Sequence, residues 1–215
     1  AQPHYFSNRV DHFGASVETF EQRYYINDTV FGGPGYPFLV ILGGEGAIPP
    51  EEGFFYPFIV DTLAPYFKAL VLEPEHRFYG ISTPENVSLD LLTPMQALAD
   101  FGAIIQSMRK KYNCTGKDNT ARCPVVTIGG SYPGFLSAMM RLRYPDVVDI
   151  GYAASAPVLF YAQKVGQFDY YKKVTESAEE AFSGCPAAVR SILAQTIVSA
   201  DKEEISEKLQ LCQPL

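Results

Sequence analysis

The stretch Val125-Val126-Thr127-Ile128-Gly129-Gly130-Ser131-Tyr132-Pro133-Gly134 decides how the rest of the chain is read. A short β-branched run leads into two glycines and a serine. Apolar residues then recur at Phe135, Ala138, Met139 and Leu142, the spacing of one helix face. The pattern is strand, sharp turn, helix, with Ser131 at the tip. A serine hydroxyl is a weak nucleophile on its own, so it needs exposure, a base and donors for the developing oxyanion. A tight strand-to-helix turn supplies the exposure, and the backbone N–H of Tyr132 supplies one donor. Where a Gly-x-Ser-x-Gly turn has its closing glycine this chain has Pro133, and the glycine comes one residue later, at Gly134. Proline fits the first turn of a helix, yet it biases the preceding residue, Tyr132, away from helical dihedrals. On the motif alone, a glycine-rich turn without chemistry competes with a nucleophile.

Working outward, Pro37-Phe38-Leu39-Val40-Ile41-Leu42 is a continuous apolar run of buried-strand length that ends in Gly43-Gly44-Glu45-Gly46. In an α/β-hydrolase the second oxyanion donor comes from the loop after such an early central strand, which makes Gly44 and Glu45 the candidates. Glu45, if it points into the site, also offers a partner for a substrate amine. Thr19 to Asn27 and Ala69 to Glu73 read as further strands. Thr93-Pro94-Met95-Gln96 forms a capping box that opens a helix carrying Leu98, Phe101, Ile105, Met108 and Tyr112 on one face. Asp149 to Pro157 is the next strand and its exit loop. Strands alternating with helices at this spacing imply right-handed crossovers and a mostly parallel sheet. The expected architecture is therefore α/β: residues 1–160 form the N-terminal part of an α/β-hydrolase domain. Residues 161–215 are polar and helix-favouring, with Val189, Ile192 and Leu193 on one face, and begin a helical cap that breaks off before it is complete.

The net charge of −7 and the pI near 5.0, with no basic run, argue against a nucleic-acid surface. No apolar stretch approaches the roughly 20 residues that cross a bilayer, so no membrane partner is expected. The first residues, Ala1-Gln2-Pro3, lack a methionine, as after removal of a signal peptide. Asn27, Asn86 and Asn113 each open an Asn-x-Ser/Thr glycosylation acceptor. The four cysteines, Cys114, Cys123, Cys185 and Cys212, show no Cys-x-x-Cys spacing and no nearby histidine, so neither a metal nor another cofactor is implied. Cys114 and Cys123 flank a polar loop and make the natural local pair. Cys185 and Cys212 remain for each other, although sequence alone allows three connectivities. A secreted or lysosomal/vacuolar glycoprotein fits these features.

All three histidines, His4, His12 and His76, precede Ser131. The α/β-hydrolase order is serine, acid, histidine, so His76 reads as structural. Asp169 and Asp201 lie in the helical segment rather than after a strand, and neither suits a triad acid. The chain is thus expected to be the N-terminal portion of a longer enzyme, nearly inert alone and partnered by the remainder that carries the acid and the histidine. A non-catalytic fragment or pseudoenzyme that binds peptide or a partner chain is the alternative.

Taken together, several motifs resemble the serine peptidase family of lysosomal Pro-X carboxypeptidase and dipeptidyl peptidase II. They are Asp11-His12-Phe13, Phe20-Glu21-Gln22-Arg23-Tyr24, Gly44-Glu45-Gly46, Glu75-His76-Arg77-Phe78-Tyr79-Gly80, Gln96-Ala97-Leu98-Ala99-Asp100, Gly129-Gly130-Ser131-Tyr132, Ala154-Ser155-Ala156-Pro157 and Leu211-Cys212-Gln213-Pro214-Leu215. The resemblance implies an α/β-hydrolase domain interrupted by a helical cap, an acidic lysosomal or vacuolar compartment or secretion, and cleavage of peptides beside proline. It implies Ser131 as nucleophile, with Tyr132 and the Gly44/Glu45 loop as the oxyanion region. The family has Gly-Gly after Ser-Tyr, and Pro133 departs from that. A proline residue has no amide N–H and a fixed φ, so its recognition calls for an apolar pocket and a clamp on a chain terminus.

Overall fold

The computed structural model describes residues 2–50, 53–116, 121–199, 201–208 and 210. The chain divides into two compact units, Ala1–Val158 and Leu159–Leu215.

The first unit is built on a six-stranded sheet. In chain order its elements are β1 (His4–Arg9), β2 (Thr19–Asn27) and β3 (Phe38–Ile41), then a π-helical run, Ile59–Leu63, that continues into α1 (Ala64–Phe67). β4 (Leu70–Pro74), α2 (Pro94–Lys111), β5 (Val125–Gly130), α3 (Ser131–Arg143) and β6 (Ile150–Ala154) follow. The strand order is β1-β2-β4-β3-β5-β6. β1, β2 and β4 pair antiparallel, whereas β4, β3, β5 and β6 run parallel, with Leu39 opposite both Val71 and Val126. This is a mixed sheet of α/β-hydrolase type, as the alternation of elements implies. β3 has its sequence successor β4 on one side and β5 on the other. The order therefore reverses between β3 and β5, and ligands of open α/β sheets bind beyond the carboxyl ends of the strands at such a point.

Side chains alternate across a strand, so each strand feeds two cores. Phe38, Val40, Leu42, Leu70, Leu72 and Val125 meet Leu98, Phe101, Ile104, Ile105 and Met108 of α2 and Leu136 and Met140 of α3. On the opposite face Leu39, Ile41, Val71 and Ile128 pack with Phe54, Phe55, Ile59, Leu63 and Ala64. That second face is only partly covered. A groove of about 580 Å³ runs over it, lined by Leu39, Phe58, Leu63, Val126, Ile128 and Tyr152 among others. β6 pairs with β5 alone, and Ile150 and Tyr152 stay 57% and 61% exposed.

Three local features add to or depart from the sequence reading. β1 was not anticipated, because as an edge strand it buries only Asn8, whose amide donates to Gln22 Oε1 at 2.7 Å. The capping box is half formed: Thr93 Oγ1 accepts from Gln96 N at 3.3 Å. The Gln96 side chain turns instead to the N-terminal segment, donating to Asp11 Oδ1 at 2.6 Å and accepting from His12 N at 2.9 Å. Cys114 and Cys123 form a disulfide, whereas Cys185 is a free thiol and Cys212, its expected partner, lies outside the described residues.

In the second unit α4 (Val158–Tyr161) leads to α5 (Asp169–Ala181), α6 (Cys185–Ser199) and α7 (Lys202–Lys208). α5 and α6 lie against each other, and a groove of about 510 Å³ between them is lined by Val174, Ala178, Cys185, Val189 and Leu193.

Candidate active site

The chain turns from β5 into α3 at Ser131, which is exposed and holds a left-handed backbone at φ 57°. Bulky neighbours leave that turn little space. A Cβ on Gly129 would collide with the Pro133 carbonyl, and one on Gly134 would stand 2.7 Å from the Ala154 carbonyl oxygen of β6. Two glycines therefore let α3 press onto both strands, and Ser137 Oγ fastens it by donating to the Thr127 carbonyl at 2.9 Å. Pro133 does not break the turn. α3 runs unbroken from Ser131, because a first-turn residue has no intrahelical partner for the N–H that proline lacks. Tyr132 lies in this turn, where backbone N–H groups point out of the helix end, the geometry an oxyanion requires.

Facing the turn is the loop after β3. Gly43 N–H donates to the Pro74 carbonyl at 3.1 Å, and its Cα sits so close to β4 that a Cβ would come within 2.6 Å of that oxygen and 2.8 Å of His76 N. At the far end of the loop Ile48 N–H donates to Glu75 Oε1 at 3.0 Å, and its carbonyl accepts from Arg23 Nη2 at 2.6 Å. Between these anchors Gly44 is half-buried and Glu45 exposed. A Cβ on Gly44 would lie 2.5 Å from Pro133 Cγ. The structure thus brings Gly44 and the elbow together at the reversal of strand order.

Beneath this pair lie the buried polar residues of the Glu75-His76-Arg77 motif, with His76 in the structural setting its place in the sequence suggests. Glu75, His76 and Arg77 are each 0% exposed. Glu75 pairs with Arg23 at 2.5 Å and accepts from Ser82 Oγ at 2.6 Å. Arg77 grips Asp100 with two hydrogen bonds, 2.6 and 2.8 Å, and donates to the carbonyls of Val10 and Arg9. His12 Nε2 lies 2.7 Å from the same aspartate. His76 Nδ1 lies 2.7 Å from the Arg77 carbonyl, which only an N–H can satisfy, so Nε2 accepts from the Tyr132 hydroxyl at 2.9 Å. Burial holds the His76 imidazole below its ordinary pKa, which favours the neutral form that this pair of contacts requires. The third histidine, His4, stacks on Tyr24 at 5.4 Å.

On the other sheet face Glu73 is fully buried. Its Oε2 accepts from Phe55 N at 2.9 Å, and burial pushes its carboxyl up to about 9. The loop so held presents Tyr56, whose hydroxyl lies 3.0 Å from where a Gly130 Cβ would be. No signal short of the fold itself places Tyr56 beside Gly130. Of the glycosylation acceptors, Asn86 and Asn113 are exposed, while Asn27 is half-buried with Oδ1 accepting from Thr29 Oγ1 at 2.7 Å. Among the described residues there is no cluster of three His, Cys, Asp or Glu side chains that could hold a metal ion, and no helix long and apolar enough to cross a membrane.

Comparison with known proteins gives a family. Residues 8–215 match the family described as Serine carboxypeptidase S28. The human Lysosomal Pro-X carboxypeptidase is 33% identical over 226 residues, covering 98% of this chain and 44% of the relative. The human Thymus-specific serine protease is 33% identical over 211 residues, covering 92% and 39%. Prolyl carboxy peptidase like protein 5 of Caenorhabditis elegans is 37% identical over 169 residues, covering 74% and 31%. The chain thus spans less than half the length of the curated relatives it matches. A match running through nearly the whole chain, on a sheet whose turn at Ser131 and loop after β3 converge, places this protein in the serine carboxypeptidase S28 family.

Proposed function

We propose that this chain is the N-terminal portion of a serine exopeptidase that cleaves peptides beside proline through an acyl-enzyme on Ser131. The observation that carries the proposal is the meeting of an exposed Ser131 in a left-handed turn with the Gly43 to Ile48 loop. The hydroxyl attacks the substrate carbonyl, and its oxygen gains charge that the backbone N–H groups of Tyr132 and the Gly44/Glu45 segment receive. The base and its orienting acid come from a further segment: His4, His12 and His76 are engaged with Tyr24, Asp100 and Tyr132. The open edge of β6 and the apolar groove beside it support that requirement, since an unpaired strand edge and an apolar face of this size invite cover. Residues 161–215 begin the cap domain, and Glu45 is the candidate clamp for a substrate amine. Relatives named lysosomal support an acidic compartment.

The test is labelling of the full-length protein with a fluorophosphonate, followed by peptide mapping and assay of Pro-Xaa and Xaa-Pro peptides. Modification at Ser131 with turnover of one of these peptide classes is expected. Labelling at another residue, or turnover of simple esters but no proline peptide, refutes the proposal.

A further inference from the structure

Two sequence motifs far apart in the chain, Glu75-His76-Arg77 and Gly130-Ser131-Tyr132, touch through one hydrogen bond, His76 Nε2 to the Tyr132 hydroxyl at 2.9 Å. The same β4 exit also fixes the oxyanion loop at both ends, through the Pro74 carbonyl on Gly43 N–H and Glu75 Oε1 on Ile48 N–H. One buried segment, residues 74–76, is therefore fastened to both the Tyr132 turn and the Gly43 to Ile48 loop. From this geometry we infer that His76 is a positioning residue: as the Nδ1–H tautomer it holds the Tyr132 side chain. It thereby sets where the Tyr132 backbone N–H stands relative to the Gly44 loop. The inference rests on the serine-peptidase proposal and adds a role for a histidine outside the triad.

The chain of contacts leaves His76 little freedom. Its Nδ1–H is committed to the Arg77 carbonyl, and Arg77 is itself clamped by Asp100. The rings of Tyr79, Phe101 and Tyr132 surround it at 5.3 to 6.1 Å, and the nearby charges are Arg77, Asp100 and Glu45. Its burial disfavours the imidazolium, which favours the acceptor form of Nε2 that the Tyr132 hydroxyl requires. A spatially fixed donor is what oxyanion stabilisation needs, because misplacement by a fraction of an ångström forfeits part of the gain.

The experiment measures kcat, KM and the fluorophosphonate rate at Ser131 for full-length His76→Phe, Tyr132→Phe, the double variant and His76→Gln. Displacing one oxyanion donor without removing it should lower kcat and the labelling rate about tenfold, with KM little changed. The double variant should be no slower than the slower single one, because both remove the same bond. Gln supplies an amide oxygen at the Nε2 position, so His76→Gln should recover most of the rate. Nitrogen NMR of the unsubstituted protein, which needs no variant to fold, should show His76 as the neutral Nδ1–H tautomer at pH 7. Variants that lower thermal stability while leaving kcat intact, additive losses, or a His76 in the Nε2–H tautomer at pH 7 would overturn the inference. A Ser131 that never reacts in the unsubstituted protein would remove the peptidase proposal first, and this inference with it.

Discussion

Replacing Glu73 by glutamine should make the protein's stability far less sensitive to pH, and the size of the change follows from the burial of that side chain. In the folded protein Oε2 accepts the Phe55 N–H, and Oε1 has no hydrogen-bond partner among the described residues. The proton therefore sits on Oε1 and the group stays neutral, with its pKa raised from 4.5 to about 9 chiefly by burial. The unfolded chain releases this proton near its ordinary value while the folded chain keeps it. Unfolding thus releases a proton throughout the window from 4.5 to about 9, and stability falls as pH rises across it. At about 1.4 kcal/mol per pH unit, the loss between pH 5 and pH 8 is roughly 4 kcal/mol. Glutamine cannot ionise. It leaves an amide N–H₂ where Oε1 stood, a constant cost of about 1–3 kcal/mol that does not vary with pH. The diagnostic is therefore the slope and not the offset. Thermal unfolding followed by circular dichroism at pH 5, 6, 7 and 8 should show the variant gaining on the parent by about 10 °C over that range. Parallel curves would refute the assignment of a neutral carboxyl at Glu73. This one group thus contributes most stability in acid, while carboxyls held low, such as Asp11, contribute theirs at higher pH.

Other outcomes follow from close contacts. Gly44→Ala puts a Cβ against Pro133 Cγ and should cut the Ser131 labelling rate by about a hundredfold. Adding Pro133→Gly should restore most of that rate, and failure to do so would mean that the two residues do not set each other's position. Asp100→Ala strands the buried Arg77 guanidinium and should cost about 3–5 kcal/mol in urea unfolding. A loss under about 1 kcal/mol would show that solvent or the neighbouring carbonyls replace the carboxylate.

Regular periodicity made much of the fold legible. Phe38 to Ile41 is apolar at every position because both sheet faces bury it, and Leu98, Phe101, Ile105 and Met108 recur at helical spacing against one of those faces. Turn chemistry made the elbow legible, because Gly129 and Gly134 are required by the approach of α3 to β5 and β6. The burial of charge was not legible, since charged residues mostly face water, yet Glu73, Arg77 and Asp100 lie at 0% exposure. Their burial rests on partners supplied by distant segments, such as the carbonyls of Arg9 and Val10 for Arg77, and no local pattern encodes that. The same holds for His76 and Tyr132, which meet across 56 residues, and for Gln96, whose amide preferred Asp11 and His12 to its own helix end.

The backbone at Ser131 has an evolutionary consequence. A side chain in the left-handed region costs about 1–2 kcal/mol that glycine would not incur. Selection for stability alone would therefore favour glycine at this position. A descendant released from catalysis should lose the hydroxyl early and fold the better for it, so a serine retained on such unfavourable backbone is the residue a working hydrolase would be expected to keep.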